Sequence, residues 1–391
     1  MNKLPSNACA YPFKAAMLQH GLPATPCCRF HHRFLSELDK DIVTPFSDVQ
    51  ETMLRNEWHP GCYKCKADED AGKESMRTQA DNFFSDFTDS TQLEYLEITV
   101  GRLCNLKCIT CGPEFSHTWD EDTISLGLES QDYITKLRQV QELDLDNLDL
   151  NKLTKLKNIK VTGGEPFLHR QFLRFVVNLA ASGMASNVSI EIFTNCTWYP
   201  EKVEMDALLQ FKQVRITTSL DGYGVVNDFV RYPSNWKRVE ETLDKWIAVR
   251  EQYGGPENET FIITAAPTVS VLNACYMFEF MHWARVHKQI EVVLQTVYEP
   301  NYLSITHWPN WFKSKLKYTI DAQFEGFNNR YAKLIPAHEL ITKLCLTPSN
   351  EIDKSSEYLH EINRVANHRG QDVRILKKFC DLINLEATRI A

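Results

Sequence analysis

Long apolar runs are missing from this chain. No stretch approaches about eighteen consecutive apolar residues, so the sequence predicts no membrane span. The first twenty residues also lack a continuous apolar core, because Lys3, Pro5, Asn7, Pro12 and Lys14 interrupt it. This argues against a secretory signal peptide. We therefore expect a cytoplasmic protein that does not partner with a membrane.

A block of basic residues is missing too. The net charge is −8 over 391 residues, with both signs interspersed. A broad basic face for nucleic acid is therefore not expected. No repeat period recurs along the chain, which excludes a repeat array. The 43% hydrophobic fraction is ordinary for a globular core, and the length suggests about two to three domains.

Cysteine, in contrast, is abundant, with twelve residues. In a large chain without a predicted signal peptide, this number favours metal binding over disulfides. Seven cysteines have ligand-like spacing and five do not. The first group is Cys9, Cys27, Cys62, Cys65, Cys104, Cys108 and Cys111, and the second is Cys28, Cys196, Cys275, Cys345 and Cys380.

Three of these cysteines follow a predicted strand at C-x3-C-x2-C spacing. Cys104, Cys108 and Cys111 come after the alternating apolar run from Leu93 to Val100, on the loop that leaves it. Three thiolates on one loop can hold three irons of a 4Fe–4S cluster and leave the fourth iron open. The alternatives are a zinc half-site, which favours paired C-x2-C units, and three buried structural cysteines.

A second set lies within residues 1–80, which we predict to be short, irregular and poor in apolar material. Cys9, Cys27, Cys62 and Cys65 supply four ligands for a second iron–sulfur cluster. A zinc ribbon-like site would use the same four ligands. Small domains of this kind usually need a metal or disulfides.

Other side chains in this segment compete for that role. Cys28 is adjacent to Cys27, and neighbouring side chains in an extended chain point to opposite sides. His31 and His32 are further possible ligands. The residues alone do not decide between Cys27 and Cys28.

From residue 93 onward the pattern alternates between strands and helices. Repeated βα units indicate a parallel sheet with helices outside, and six units make a partial, open barrel. From about 313 to 391 the pattern is helical and charged, and it predicts nothing catalytic. Strands are predicted near 94–100, 158–162, 188–194, 213–220, 261–269 and 290–297, and helices near 114–130, 168–182, 201–210, 235–252 and 274–288.

Three further motifs follow predicted strands. Together with the cysteine loop, they resemble the radical S-adenosylmethionine (SAM) superfamily over about residues 93–297. The motifs are Thr162-Gly163-Gly164-Glu165-Pro166, Thr194-Asn195 and Ser219-Leu220-Asp221-Gly222. The resemblance implies an α/β partial (β/α)6 TIM-like barrel in which SAM chelates the open iron. It also implies reductive cleavage to a 5′-deoxyadenosyl radical and a flavodoxin- or ferredoxin-type electron donor.

The same motifs supply candidate SAM contacts. Gly163 and Gly164 let the backbone approach a ligand closely, and Glu165 can accept from the methionyl amine. Polar residues after the third and fourth predicted strands suit ribose hydroxyls and the surroundings of the SAM carboxylate. For each of them, capping of a turn is the alternative role. These residues are Thr194, Asn195, Ser219 and Asp221.

Three more positions leave alternatives open. Arg231 can pair with a carboxylate of SAM or substrate, or form a surface ion pair. Thr110 stands where many members of the superfamily carry an aromatic that packs on adenine. Cys196 stands where glycine is common, either as a hydrogen-atom donor near the site or as a small residue packed into the wall.

The N-terminal segment resembles the auxiliary-cluster domain, "twitch" or SPASM-type, of radical SAM enzymes, placed before the barrel. This resemblance favours Cys27 over Cys28 as ligand. It divides the chain into an auxiliary iron–sulfur domain (1–80), a radical SAM barrel (93–297), and a lid segment with C-terminal helices (298–391).

The implied reaction is a net oxidation or crosslinking of a peptide or small molecule, assisted by the auxiliary 4Fe–4S cluster. The competing hypothesis is a non-catalytic iron–sulfur or zinc-binding module that senses redox state. Such a sensor needs cysteines but no SAM pocket, so the glycine pair and the Ser219-Leu220-Asp221-Gly222 motif argue against it.

Overall fold

The structure, a computed structural model, describes residues 5, 7–31, 46–84, 93–140, 143–326, 334–349 and 352–384. Nine strands and fifteen α-helices lie within these ranges. The strands are β1 (Ala15–Gln19), β2 (Tyr95–Thr99), β3 (Asn158–Thr162), β4 (Ser189–Thr194), β5 (Gln213–Thr218), β6 (Phe261–Ala265), β7 (Thr268–Val269), β8 (Glu291–Val292) and β9 (Gln295–Thr296).

The helices are α1 (Tyr11–Lys14), α2 (Ser47–Leu54), α3 (Tyr63–Asp70), α4 (Met76–Phe83), α5 (Trp119–Ser125), α6 (Gln131–Gln139), α7 (Arg170–Ala181), α8 (Lys202–Leu208), α9 (Val225–Val230), α10 (Trp236–Gln252), α11 (Met277–His282), α12 (Asn310–Gly326), α13 (Ile335–Leu346), α14 (Ser355–His368) and α15 (Lys377–Leu382). Among these residues, no helix combines the length and the apolar character needed to cross a lipid bilayer.

Seven strands form one sheet in the order β1-β2-β3-β4-β5-β6-β8, and β7 pairs with β9. The pairs β1–β2, β2–β3, β3–β4 and β6–β8 are parallel. All six predicted strands are present, separated by the predicted helices. The fold is thus α/β with a mostly parallel sheet, as the alternating pattern predicts.

The prediction that residues 1–80 are irregular is wrong. Ala15–Gln19 forms an edge strand paired with β2, and three eight-residue helices follow it. Alanine, methionine and glutamine have little intrinsic preference for strands, so this strand depends on its partner rather than on local sequence.

The chain divides into two compact units. The first comprises 1–102, 139–193 and 200–215, and the second 103–138, 194–199 and 216–391. In the first unit, α7 buries Phe172, Phe175, Val176 and Leu179, which are the residues its apolar spacing predicts. Gly183 follows this helix with a φ of 78°, a left-handed conformation that ends it cheaply.

In the second unit, the aromatic segment after residue 298 is packed. Trp308 is fully buried, its indole donates to the Tyr302 carbonyl at 2.9 Å, and its ring lies 4.3 Å from that of Phe312. The sequence predicts a lid in this segment, and these contacts show that its aromatic side chains Trp308 and Phe312 are packed rather than open to solvent.

Candidate functional site

The cysteine loop lies in the second unit and is held by backbone hydrogen bonds. Lys107 N donates to the Tyr232 carbonyl at 2.7 Å, and Ile109 N donates to that of Val230 at 2.8 Å. Cys111 N donates to the Cys108 carbonyl at 3.0 Å, which closes a turn. These bonds fix the loop between and around its cysteines.

The three thiols are clustered and largely removed from water. Cys104 and Cys108 are 7% and 8% exposed and pack with Leu106, while Cys111 is half-buried against them. Burial is the main cause that raises the pKa of Cys111 to about 12, and the neighbouring Cys108 adds to it. In the metal-free chain Cys111 is therefore held as a thiol, and metal binding would release its proton.

Nitrogen donors surround two of the sulfur atoms. The Sγ of Cys104 accepts from Leu106 N at 3.5 Å and from the Asn195 amide at 3.8 Å. The Sγ of Cys108 accepts from Arg231 Nη1 at 3.8 Å. Donors and positive charge of this kind suit thiolates that ligate an iron–sulfur cluster, whose charge they partly offset.

Arg231 and Asp221 form a buried ion pair beside the loop. Arg231 Nε lies 2.8 Å from Asp221 Oδ2, with the two side chains 10% and 0% exposed. Asp221 Oδ1 accepts from Thr268 N at 2.7 Å. Burial lowers the pKa of Arg231, but the Asp221 carboxylate and the nearby Cys108 sulfur together raise it above its usual value. The proposed surface ion pair for Arg231 is thus wrong, because its partner is buried.

We expect Asp221→Asn to lower the free energy of unfolding by about 3–5 kcal/mol, because it leaves the Arg231 charge buried without its carboxylate. Asp132→Asn is the matched control: it breaks the Asp132–Lys136 pair, which is over 70% exposed on both sides, and should cost less than about 0.5 kcal/mol. Denaturant unfolding of the full chain measures both. Equal costs for the two variants would contradict a buried role for Asp221.

Asn195 braces the cysteine loop. Its amide nitrogen donates to Asn105 Oδ1 at 2.9 Å, and its oxygen accepts from Thr197 N at 2.9 Å. Ser219 N donates to the Thr194 carbonyl at 2.7 Å, which joins the ends of the third and fourth predicted strands. These contacts support the turn-forming alternative for Asn195 without testing a SAM contact.

Cys196 occupies a left-handed backbone position, with a φ of 61°. Glycine adopts this conformation without strain, which is the physical reason why glycine suits this turn. The side chain is fully buried, and its Sγ lies 3.8 Å from the Val239 carbonyl of α10. Of the two alternatives, this contact favours a small residue packed into the wall.

The glycine pair lies in the first unit, directly after β3. Gly164 N donates to the Gly101 carbonyl at 2.8 Å. Gly163 has a φ of 121°, and a Cβ there would lie 3.0 Å from both Gly101 O and Val100 N. Glu165 is fully buried, and its Oε1 accepts from Phe167 N at 3.3 Å. The turn therefore requires glycine at 163 for close backbone packing.

Gly163→Ala should destabilise the protein more than Gly183→Ala. Both positions have positive φ, and that backbone cost is about 1–3 kcal/mol for a non-glycine residue. Only at Gly163 does the new methyl group meet backbone atoms, since nothing lies within 4 Å of it at Gly183. Thermal unfolding of the two variants tests this, and an equal loss would contradict the tight packing.

The four N-terminal cysteines line one cavity in the first unit. It holds about 390 Å³, part of it open to solvent. Burial, together with the neighbouring thiols, raises the pKa of Cys27 and of Cys62 to about 12 and that of Cys9 well above its usual range. The cysteines at the cavity are Cys9, Cys27, Cys62 and Cys65.

Local structure explains how these cysteines converge. Cys62 is the last residue of a short turn and Cys65 lies in the first turn of α3, which follows it directly. The two cysteines are therefore held close together by consecutive elements. His59 shapes that turn by accepting from Gly61 N at 3.1 Å. Cys28 is absent from the cavity lining, and its Sγ lies 3.8 Å from Met76 Sδ. This geometry favours Cys27 over Cys28.

A binding site for a single metal ion is not formed by the side chains of the described ranges. No three His, Cys, Asp or Glu side chains there converge as ligands of one ion. The thiolates of a four-iron cluster bind different irons and are kept apart by the cluster itself. His32, one of the alternative ligands, lies outside the described residues.

The stretch that holds these motifs is similar to known proteins. Residues 98–253 match the family model of the Radical SAM superfamily. A GTP 3′,8-cyclase of Listeria monocytogenes is 29% identical over 153 residues, which are 39% of this chain and 40% of that protein. A GTP 3′,8-cyclase of Pelotomaculum thermopropionicum is 26% identical over 160 residues, 40% of this chain and 45% of that protein.

Among solved structures, native anSMEcpe with bound AdoMet matches over 60% of this chain and 61% of its own, with 17% identity and a TM-score of 0.41. The chain spans less than half the length of the two curated relatives. The family match includes the cysteine loop, the glycine pair and the Asp221–Arg231 pair. The comparisons thus support an enzyme, with similarity to the Radical SAM superfamily over residues 98–253.

Proposed function

We propose that this protein reductively cleaves SAM and uses the product to abstract hydrogen from a substrate. The observation that carries this proposal is the cluster of three thiols on one loop, two of them buried, with Arg231 donating to Cys108. The loop lies within the segment that matches the radical SAM family model. A sensor built on cysteines alone would have no need of that matched segment.

Cys104, Cys108 and Cys111 would hold a 4Fe–4S cluster with one open iron. The donor set fits, because three sulfur ligands share one turn and nitrogen donors face two of them. When bound, the cluster supplies the electron that cleaves SAM and so begins hydrogen abstraction. The chain's contribution is to orient the ligands, keep water away and offset negative charge.

Two groups of residues are proposed to bind SAM. Gly163, Gly164 and Glu165 present a tight turn with a buried carboxylate, which suits a cationic methionyl amine. Thr194, Asn195, Ser219, Asp221 and Arg231 belong to the same proposal for the ribose and carboxylate parts of SAM. Asp221 and Arg231 act there mainly by fixing each other beside Cys108.

A second 4Fe–4S cluster is proposed at the cavity of the first unit. Cys9, Cys27, Cys62 and Cys65 all line it and would saturate four irons. A cluster without an open iron has no place for SAM. Its proposed role is to accept an electron from the substrate radical, so that the net reaction is an oxidation or crosslinking.

The proposed substrate is a peptide or a small molecule, and the proposed electron donor is of the flavodoxin or ferredoxin type. Both follow from the radical SAM and auxiliary-cluster motifs rather than from the relatives' names. The N-terminal residues 1–80 are proposed as the auxiliary domain, 93–297 as the barrel and 298–391 as the lid segment and C-terminal helices.

Formation of 5′-deoxyadenosine tests the proposal. The full chain is reconstituted anaerobically with iron and sulfide, then incubated with dithionite and SAM. We expect 5′-deoxyadenosine and methionine to form without added substrate, as slow abortive turnover. If the iron-loaded protein binds no SAM and forms neither product, the proposed function is wrong.

A further inference from the structure

Two cations, Lys107 and Arg369, and the imidazole of His368 converge on Asp122 in the second unit. This carboxylate on α5 is fully buried. It receives Lys107 Nζ at 2.5 Å, Arg369 Nε at 2.8 Å and His368 Nε2 at 3.4 Å. Burial raises the pKa of Asp122, but hydrogen bonds from Lys107 and Arg369 outweigh it, and the pKa lies below its usual range.

This convergence links the end of α14 to the cysteine loop. Lys107 lies within the loop, three residues after its first cysteine, and Arg369 directly follows α14. Asp122 therefore joins residues separated by more than 240 positions. A buried carboxylate with cationic partners on two elements resists movement of either one, because separation would leave a charge buried alone.

Arg369 reaches the loop by a second route. Its guanidinium carbon lies 4.2 Å from the centre of the Trp119 ring, within the range of a cation–π contact. The Trp119 indole in turn donates to the Cys108 carbonyl at 3.0 Å. Arg369 thus braces the loop at two points, through Asp122 at Lys107 and through Trp119 at Cys108.

Two nitrogen atoms of the Arg369 guanidinium make no hydrogen bond within the described residues. The Arg369 side chain is fully buried, and within the described ranges its Nη1 and Nη2 donate to no acceptor. Proteins seldom bury charged donors without a partner, because the cost of removing them from water is large. Anionic sulfur ligands close to Cys108 would supply the missing electrostatic partner.

We propose that Arg369 is a positioning residue through which α14 holds the cysteine loop ready to bind its cluster and raises the reduction potential of that cluster. The second part rests on the proposed function, because it requires a cluster at Cys104, Cys108 and Cys111. A nearby buried cation stabilises the reduced, more negative state of the cluster, and so favours electron uptake before SAM cleavage. The helical, charged sequence pattern from about 313 to 391 does not predict this positioning role.

Hydrogen exchange of the metal-free full chain tests the positioning. Arg369→Met should speed amide exchange severalfold in residues 104–119, and Arg369→Lys, which keeps the charge, should restore part of the protection. Arg374→Met is the matched control, because that arginine is 54% exposed and pairs with Asp372, two residues before it. Unchanged protection of the loop in Arg369→Met would overturn the positioning role.

Redox titration of the reconstituted protein tests the electrostatic part. With iron content unchanged, Arg369→Met should shift the potential of the SAM-binding cluster to more negative values, while Arg369→Lys and Arg374→Met stay near wild type. An unshifted potential in Arg369→Met overturns this part. If Arg369→Met fails to fold, Lys107→Met, which removes the loop's own link to Asp122, must show faster loop exchange or the positioning role is wrong.

Failure of the proposed function has a different signature. It would appear as wild-type protein that binds no iron dependent on the three loop cysteines. The hydrogen-exchange measurement uses metal-free protein and still decides whether Arg369 positions the loop.

Discussion

Replacing Cys104, Cys108 and Cys111 together with alanine is expected to lower the iron content from about eight to about four per chain and to abolish SAM cleavage. The remaining irons belong to the cluster at the N-terminal cavity, whose ligands are untouched. Cleavage stops because the four cysteines at the N-terminal cavity would saturate their own cluster and leave no open iron there. Iron and sulfide assays, with chromatography of 5′-deoxyadenosine, measure both effects.

The matched control replaces three buried cysteines elsewhere in the second unit, Cys275, Cys345 and Cys380. Each is packed at some distance in sequence from the loop, so iron content and cleavage should remain at wild-type levels. Cleavage that persists in the loop variant, or iron lost equally in the control, would contradict the assignment of the three ligands.

The second large effect concerns the N-terminal cavity. Changing Cys62 and Cys65 to alanine should remove about four irons and leave reductive SAM cleavage measurable. Product formation from the true substrate should be lost, because the substrate radical has no electron acceptor. Proteolysis of residues 1–80 should also accelerate, since cluster binding supplies folding free energy to that segment.

Cys28→Ala is the control for this pair, because Cys28 does not line the cavity. It should keep the full iron content and the proteolytic resistance of wild type. If the Cys62/Cys65 variant forms product at the normal rate, the electron-transfer role is wrong and only the structural role stands. Zinc rather than iron in the cavity would exclude the auxiliary cluster itself.

Local patterns were enough to predict most of the sheet. Strands such as β3 and β4 bury alternate residues, Ile159 and Val161 in one and Ile190 and Ile192 in the other. Such alternation can be recognised within a few consecutive residues, and the apolar face of α7 within a dozen. β1 lacks such a signal, because its sequence has no strong strand formers and its pairing with β2 spans 80 residues.

The environment of the site was less predictable for the same reason. Spacing identified the cysteines, but not the partners that surround them. Asp221 and Arg231 are ten positions apart with no helical register to pair them, and Arg369 reaches Asp122 across most of the second unit. Such contacts depend on the tertiary fold, so the sequence alone leaves the partner of Arg231 open and gives Arg369 no role.

Electron paramagnetic resonance of the anaerobically reduced protein, with and without SAM, tests whether SAM binds at the cysteine loop. We expect SAM to alter the signal of the cluster at Cys104, Cys108 and Cys111, because SAM binds its open iron. The signal of the cluster at the N-terminal cavity should not change. A spectrum in which SAM alters neither cluster would contradict SAM binding at the cysteine loop.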